Sequence, residues 1–174
     1  MLEHYDQLID ILDEAGNTIA TKQRSEVDKK HDILPGAYVL AFQGGRLFIS
    51  EIAEHPGQKR LYQGKLGCSG TTLIRHGETG DIAVLRALKN DLGITDSEVI
   101  YLGGSMEVLS DGVRRYMHAY AAQVGDSTET FPNYRDMAKV YQFTREEFME
   151  KLTAGLCAPT LMRMWEKYFD QLPF

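Results

Sequence analysis

The residues with the clearest chemical potential lie together in the middle of the chain, in one predicted helix. Glu78 stands at its start and Arg86 two turns further on, so the two charges would pair and hold the preceding loop against the helix. Asn90 and Asp91 share one face with Ala87, because side chains three and four positions apart on a helix are neighbours. Mg²⁺ and Mn²⁺ prefer oxygen ligands. On this face Asp91 offers a charged oxygen, Asn90 a neutral one and Ala87 none.

The helix that carries these residues is predicted from the spacing of its apolar side chains. They recur at helical intervals from Gly80 to Leu92, and Gly93 stands where a C-terminal cap belongs. The apolar residues are Ile82, Leu85, Leu88 and Leu92.

The segment from Thr72 to Ile94 resembles the Nudix box, G-x5-E-x7-R-E-U-x-E-E-x-G-U, in which U is a bulky aliphatic residue. The residues that match this pattern outright are Glu78, Arg86, Leu88, Gly93 and Ile94. Asp91 is a conservative replacement for the last Glu. The departures are Thr72 for the first Gly, Ala87 for the Glu after the Arg, and Asn90 for the first Glu of the pair. The resemblance extends over roughly residues 5 to 152, and the box is its specific part.

The resemblance implies an α+β fold, a Nudix-type α/β/α sandwich with a mixed β-sheet. We expect a single domain over residues 1–174, with the box at about 72–94 and C-terminal helices at about 145–170. The implied activity is hydrolysis of a diphosphate linkage in a small, nucleoside diphosphate-like substrate with Mg²⁺ or Mn²⁺. The implied site residues are Glu78, Arg86 and Asp136 for catalysis, Asp91 and Asn90 for the metal, and Lys59, Arg60 and Arg75 for the substrate.

Two other functions stay open. The loss of carboxylates at Ala87 and Asn90 would suit a catalytically inactive Nudix domain that binds a phosphorylated ligand or a protein partner. The layout also resembles the branch that contains isopentenyl diphosphate isomerase, in which Cys68 would take part. The histidine expected soon after Cys68 is absent, and residues 37–42 carry none of the expected metal ligands.

Several of these residues also have a structural interpretation. Asp136 would equally be a solvated loop aspartate, and Lys59, Arg60 and Arg75 would equally be scattered surface charge. Cys68 has no predicted base nearby, which favours a small buried or loop thiol. Arg114 and Arg115 are further candidates for phosphate contact. Because they lie on a predicted strand, one of them must face away from the other.

The elements around the helix are mostly strands, and two helices follow them. Thr144 with Glu147 forms a capping box that opens a helix over residues 146–152, and Pro159 begins a helix that runs to about Phe169. Strands are predicted at residues 8–12, 18–21, 38–42, 47–52, 99–102, 106–109, 115–124 and 139–143.

The composition of the chain limits the kinds of binding partner that we expect. The chain has 174 residues with a formal net charge of −6, which disfavours binding to a nucleic-acid polymer. It contains no apolar run long enough to span a membrane, and Cys68 and Cys157 are too few for a disulfide framework. We therefore expect a cytoplasmic protein. The negative charge does not exclude the small phosphorylated ligand that the resemblance implies. The apolar C-terminal helix would suit a homodimer interface.

Overall fold

A computed structural model of the chain describes residues 7–54, 62–109, 112–134 and 137–174. The predicted site residues Lys59, Arg60 and Asp136 lie outside the described residues. The strands, in chain order, are β1 (Leu8–Leu12), β2 (Thr18–Gln23), β3 (Leu34–Gln43), β4 (Arg46–Ile52), β5 (Leu66–Gly67), β6 (Gly70–Leu73), β7 (Ser97–Val108), β8 (Arg114–Val124) and β9 (Met137–Phe143). The helices are α1 (Gly80–Leu92), α2 (Arg145–Thr153) and α3 (Pro159–Tyr168).

Seven of the described strands form one mixed sheet. Its central order is β5-β4-β3-β8-β7, with β6 pairing with the first half of β3 and β9 with β4. Strands β3 and β8 are parallel, and the other pairs are antiparallel. Strands β1 and β2 form a separate two-stranded sheet. The predicted α+β class with a mixed sheet is confirmed.

The central strand β3 is buried on both faces, which explains its nearly continuous apolar sequence. Because successive side chains alternate, Tyr38, Leu40 and Phe42 pack towards α3. Ala37, Val39 and Ala41 pack towards α1. Helices therefore cover both faces of the sheet, as the predicted α/β/α sandwich requires.

Helix α3 is strongly amphipathic, and its apolar side faces the core of its own chain. Its buried residues are Leu161, Met164, Trp165 and Tyr168. The apolar side is thus used in the protein's own packing. The homodimer that the sequence suggests stays a prediction. No helix among the described residues is both long and apolar enough to cross a membrane.

Local signals predict the helices well. Helix α1 has the predicted bounds: the Thr79 side chain accepts a hydrogen bond from the Ile82 backbone N–H, and Gly93 ends the helix at φ 70°. The capping box of Thr144 and Glu147 is also present at the start of α2.

The prediction of two strands at residues 99–102 and 106–109 is wrong. The structure has one strand there, β7, which pairs with β8 over its whole length and absorbs an extra residue in a bulge between Tyr101 and Gly103. The strands β5 and β6 are not predicted, since their glycine-rich and polar sequence carries no strand pattern.

Candidate functional site

The start of helix α1 is fixed by a partly buried ion pair. Arg86 Nε donates to Glu78 Oε1 at 2.8 Å and Arg86 Nη2 donates to Glu78 Oε2 at 2.8 Å, which is a bidentate arrangement. The two side chains are only 22% and 10% exposed. Burial by itself would raise the pKa of Glu78, but the hydrogen bonds from Arg86 and from the Arg75 backbone N–H outweigh it and hold this pKa below its ordinary value. Glu78 is therefore ionised at neutral pH.

The same guanidinium group ties α1 to strand β6. Arg86 Nη1 donates to Thr72 Oγ1 at 2.9 Å, and Arg86 Nη2 donates to the Leu73 carbonyl at 2.9 Å. The loop between Leu73 and Thr79 is thus clamped against the helix at both of its ends. This is the bracing role that the sequence predicts for Arg86.

Beyond this clamp, α1 and β6 come unusually close together. A β-carbon added at Gly70 would lie 3.2 Å from Val39 Cγ1, 3.4 Å from Ala87 Cβ and 3.5 Å from Asp91 Oδ2. Ala87 is buried in this contact, Asn90 is exposed, and Asp91 is partly buried with its carboxylate towards β6. The small residues at positions 70 and 87 therefore let the helix pack directly on the strand.

A cavity of about 520 Å³ opens beside this contact. Asp91 reaches it from α1, Arg115 from the start of β8, and Thr160 from the start of α3. The volume is in the range of small-molecule sites. Other wall residues include Tyr38, Ser50, Ile52, Tyr62, Thr72, Leu109 and Met137.

Comparison with solved structures gives the same fold repeatedly. DR0079 from Deinococcus radiodurans superposes with a TM-score of 0.70 at 16% identity, over 93% of this chain and 99% of that one. A NUDIX hydrolase from Nitrosomonas europaea superposes with a TM-score of 0.61 at 15% identity, over 79% of this chain and 89% of that one. The NUDIX domain of Shewanella oneidensis NrtR, solved with ADP ribose, superposes with a TM-score of 0.63 at 13% identity, over 84% of this chain and 94% of that one.

The chain has the Nudix fold. At these identities the similarity is one of architecture, and comparison by sequence alone finds no matching family model and no matching curated protein. In this Nudix fold the segment that resembles the box forms the loop and helix α1 beside the cavity. The position of the helix against the sheet thus agrees with the resemblance.

The carboxylate set expected for Mg²⁺ or Mn²⁺ is incomplete. Ala87 has no oxygen to offer and Asn90 does not line the cavity, which leaves Asp91. Within the four described ranges, no three His, Cys, Asp or Glu side chains lie close enough together to hold a metal ion. The donors that the structure describes therefore do not fit a carboxylate-bound divalent cation.

The two arginines at the start of β8 point in opposite directions, as the alternation of a strand requires. Arg114 donates to Glu14 Oε1 at 2.7 Å and to the His31 carbonyl at 3.4 Å, away from the cavity. Arg115 lines the cavity. The sequence raises both residues as candidates for phosphate contact, and only the tertiary structure separates them.

Of the three residues that the sequence predicts for the substrate, Lys59, Arg60 and Arg75, the structure describes Arg75. Arg75 does not belong to the cavity wall, and its backbone N–H donates to Glu78 Oε2. His76, which the sequence places beside the box, pairs with Asp10 at 2.8 Å. Among the described residues, the cation in the cavity wall is Arg115, which comes from a strand far along the chain.

Cys68 is a buried residue of the cavity wall rather than an exposed nucleophile. Its Sγ lies 3.5 Å from Met164 Sδ, and burial raises its pKa to about 12. A nucleophilic cysteine needs a lowered pKa, because the thiolate is the reactive form. The structure thus favours the interpretation of Cys68 as a packed thiol.

Proposed function

We propose that this chain binds a small phosphorylated compound of the nucleoside diphosphate type in the cavity beside α1. The observation that carries the proposal is a cavity of about 520 Å³ with Arg115 in its wall, next to the Nudix-type helix. A domain of the same fold, from Shewanella oneidensis NrtR, was solved in complex with ADP ribose. ADP-ribose is therefore the first probe for this cavity.

Arg115 is the residue best suited to hold the phosphate groups. A guanidinium presents several donors in a rigid plane and binds phosphate oxygens in a bidentate manner. In a chain with a formal net charge of −6, an anion needs such a local cation to be attracted to one place. Thr160 and Thr72 add hydroxyl groups to the same wall.

Binding without hydrolysis agrees best with the donors around the cavity. Hydrolysis in the way that the box resemblance implies requires several carboxylates to hold the metal, and Asp91 is the carboxylate that the described wall supplies. Hydrolysis is the second candidate. It is favoured by the position of Asp91 on the cavity wall and by the intact clamp of Glu78 and Arg86.

Replacing the cavity arginine provides the first test. In Arg115→Met, we expect the dissociation constants for ADP-ribose and for inorganic diphosphate to rise roughly ten- to hundredfold, since a hydrogen bond to a charged group contributes about 1.5–3 kcal/mol. Isothermal titration calorimetry would measure both constants.

Arg114→Met is the matched control, because it removes the same group from the next residue of the strand, where it pairs with Glu14. The control should leave both constants within about twofold of wild type. An equal loss of ligand affinity in the two variants would show that general positive charge, and not a site at Arg115, attracts the ligand.

The second candidate is tested by turnover. We expect no release of phosphate or nucleoside monophosphate from a panel of diphosphate compounds with Mg²⁺ or Mn²⁺, because one carboxylate is a poor divalent-cation site. The assay compares wild type with Asp91→Asn, which keeps the size of the side chain and removes its charge. Metal-dependent turnover in wild type that disappears in Asp91→Asn would establish hydrolysis instead.

A further inference from the structure

Tyr62 has an unusual backbone conformation at the edge of the cavity. Its φ is 72°, and among the described residues it is the one residue other than glycine with a positive φ. A bulky side chain rarely adopts this conformation, because its β-carbon then crowds the backbone. The turn is held in place: Lys65 N–H donates to the Tyr62 carbonyl at 3.0 Å, and Gly64 N–H donates to the Ile52 carbonyl at 2.9 Å. The strain is thus maintained next to strand β4.

The hydroxyl group of Tyr62 is buried and has no hydrogen-bond partner in the part of the chain that the structure describes. The residue belongs to the wall of the cavity that we propose as the ligand site. A buried phenol that gives up water without gaining a partner destabilises the folded protein, and such groups are rare in native structures. Strain in the backbone and a missing partner at the hydroxyl are separate observations, and both are accounted for if a ligand supplies the partner.

The strand pairing places Tyr62 and Arg115 on opposite sides of the central strand β3. The Tyr62 turn bonds to Ile52, near the point where Ser50 pairs with Gly67. Arg115 pairs with Leu34, beyond the end of β3 that pairs with β6. A ligand whose phosphates meet Arg115 would therefore bring its other end to Tyr62.

The Tyr62 end of the cavity is neutral in the part of the wall that the structure describes. Its neighbours there are Ser50, Ile52, Gly67 and Met137, and the Ser50 hydroxyl already donates to the Cys68 carbonyl at 2.8 Å. A phosphate placed at this end would find no described cation, whereas a hydroxyl or carbonyl group would find the phenol. This end of the cavity therefore suits an uncharged polar group of the ligand.

We infer that Tyr62 is a specificity-determining residue whose hydroxyl hydrogen-bonds to an uncharged polar group, a hydroxyl or a carbonyl, at the end of the ligand opposite its phosphates. This rests on the proposed function. It adds a residue that would recognise the sugar or nucleoside portion of a ligand of the proposed type. Inorganic diphosphate would bind at Arg115 without using the tyrosine.

The test is Tyr62→Phe, which removes the hydroxyl alone. We expect the dissociation constant for ADP-ribose to rise roughly three- to tenfold, as for the loss of one hydrogen bond, and that for inorganic diphosphate to stay unchanged. In the free protein the melting temperature should rise by about 1–3 °C, because a buried group without a partner is removed. Tyr134→Phe, at an exposed tyrosine away from the cavity wall, is the matched control and should change none of these values.

The outcomes separate the two proposals. If wild type binds neither ADP-ribose nor diphosphate, the proposed function fails and this inference fails with it. If wild type binds both and Tyr62→Phe leaves the ratio of the two constants unchanged, the inference alone is overturned. A melting temperature below that of wild type would likewise overturn it, since the hydroxyl would then have a partner within the protein.

Discussion

Arg86→Met is expected to lower the free energy of unfolding by about 3 kcal/mol, because it removes one partner of a largely buried ion pair and leaves the other charge uncompensated. Glu78 is only 10% exposed and its charge is matched by two hydrogen bonds from Arg86. The same substitution also removes the bonds to Thr72 and Leu73 that hold α1 against β6. Urea denaturation at neutral pH would measure the change.

Lys89→Met is the matched control, since it removes a cation from an exposed position on the same helix. Its effect should stay below about 1 kcal/mol, the size of an interaction with the helix end. The difference between wild type and Arg86→Met should narrow in acid. The pKa of Glu78 is held low in the folded protein, so the stability that this group contributes is present above its unfolded pKa and is lost as the pH falls through its folded pKa. A loss in Arg86→Met no larger than that of the control would contradict the clamp.

Trp165→Ala should be about as damaging, with a loss of about 4 kcal/mol in the free energy of unfolding. Trp165 is buried under the sheet, with its ring centroid 4.8 Å from that of Phe148 and 5.7 Å from that of Phe174. Removing it deletes a large apolar surface and leaves a void that the rigid surroundings cannot fill. Chemical denaturation followed by circular dichroism would measure the loss.

Phe169→Ala provides the comparison, because Phe169 packs against the same tryptophan but is 38% exposed. Water already reaches this side chain, and we expect its removal to cost less than about 1.5 kcal/mol. Similar losses for the two variants would mean that α3 is held by a general apolar surface and not by a packed core around Trp165.

The structure separates two properties that the full box pattern combines. Glu78 and Arg86 form the clamp that positions the helix, and both are present with full hydrogen bonding. The helix face at positions 87, 90 and 91 would hold the metal, and there the carboxylates are reduced to Asp91. The clamp depends on one ion pair, whereas metal binding depends on several carboxylates on another face of the helix. The clamp can therefore persist while the metal-binding face changes.

The sequence predicts those features whose energetics are local. The bounds of α1 follow from the Thr79 cap, the apolar spacing and Gly93, all within a few residues of one another. The capping box at Thr144 is likewise a short-range pattern. The pairing of Glu78 with Arg86 belongs to the same class, because two helical turns fix their separation.

The tertiary structure decides the features that depend on partners far away in the chain. Strand β7 is one strand and not two because it pairs continuously with β8, a contact that its own glycines do not reveal. Only one of Arg114 and Arg115 can reach the cavity, because neighbouring side chains of a strand face opposite sides. The choice between them depends on the face of β8 that α3 covers, and the sequence does not reveal that face.

By itself, then, the sequence determined the fold class, the central helix and the residues that clamp it, since these arise from spacing and from interactions between near neighbours. Only the tertiary structure decided the composition of the cavity. Its wall consists of residues from strands and helices that are distant in sequence. Arg115, Asp91 and Tyr62 therefore line one cavity only once the sheet has formed. The strained backbone of Tyr62 and its buried hydroxyl have no counterpart in the sequence pattern, because both result from the packing around them.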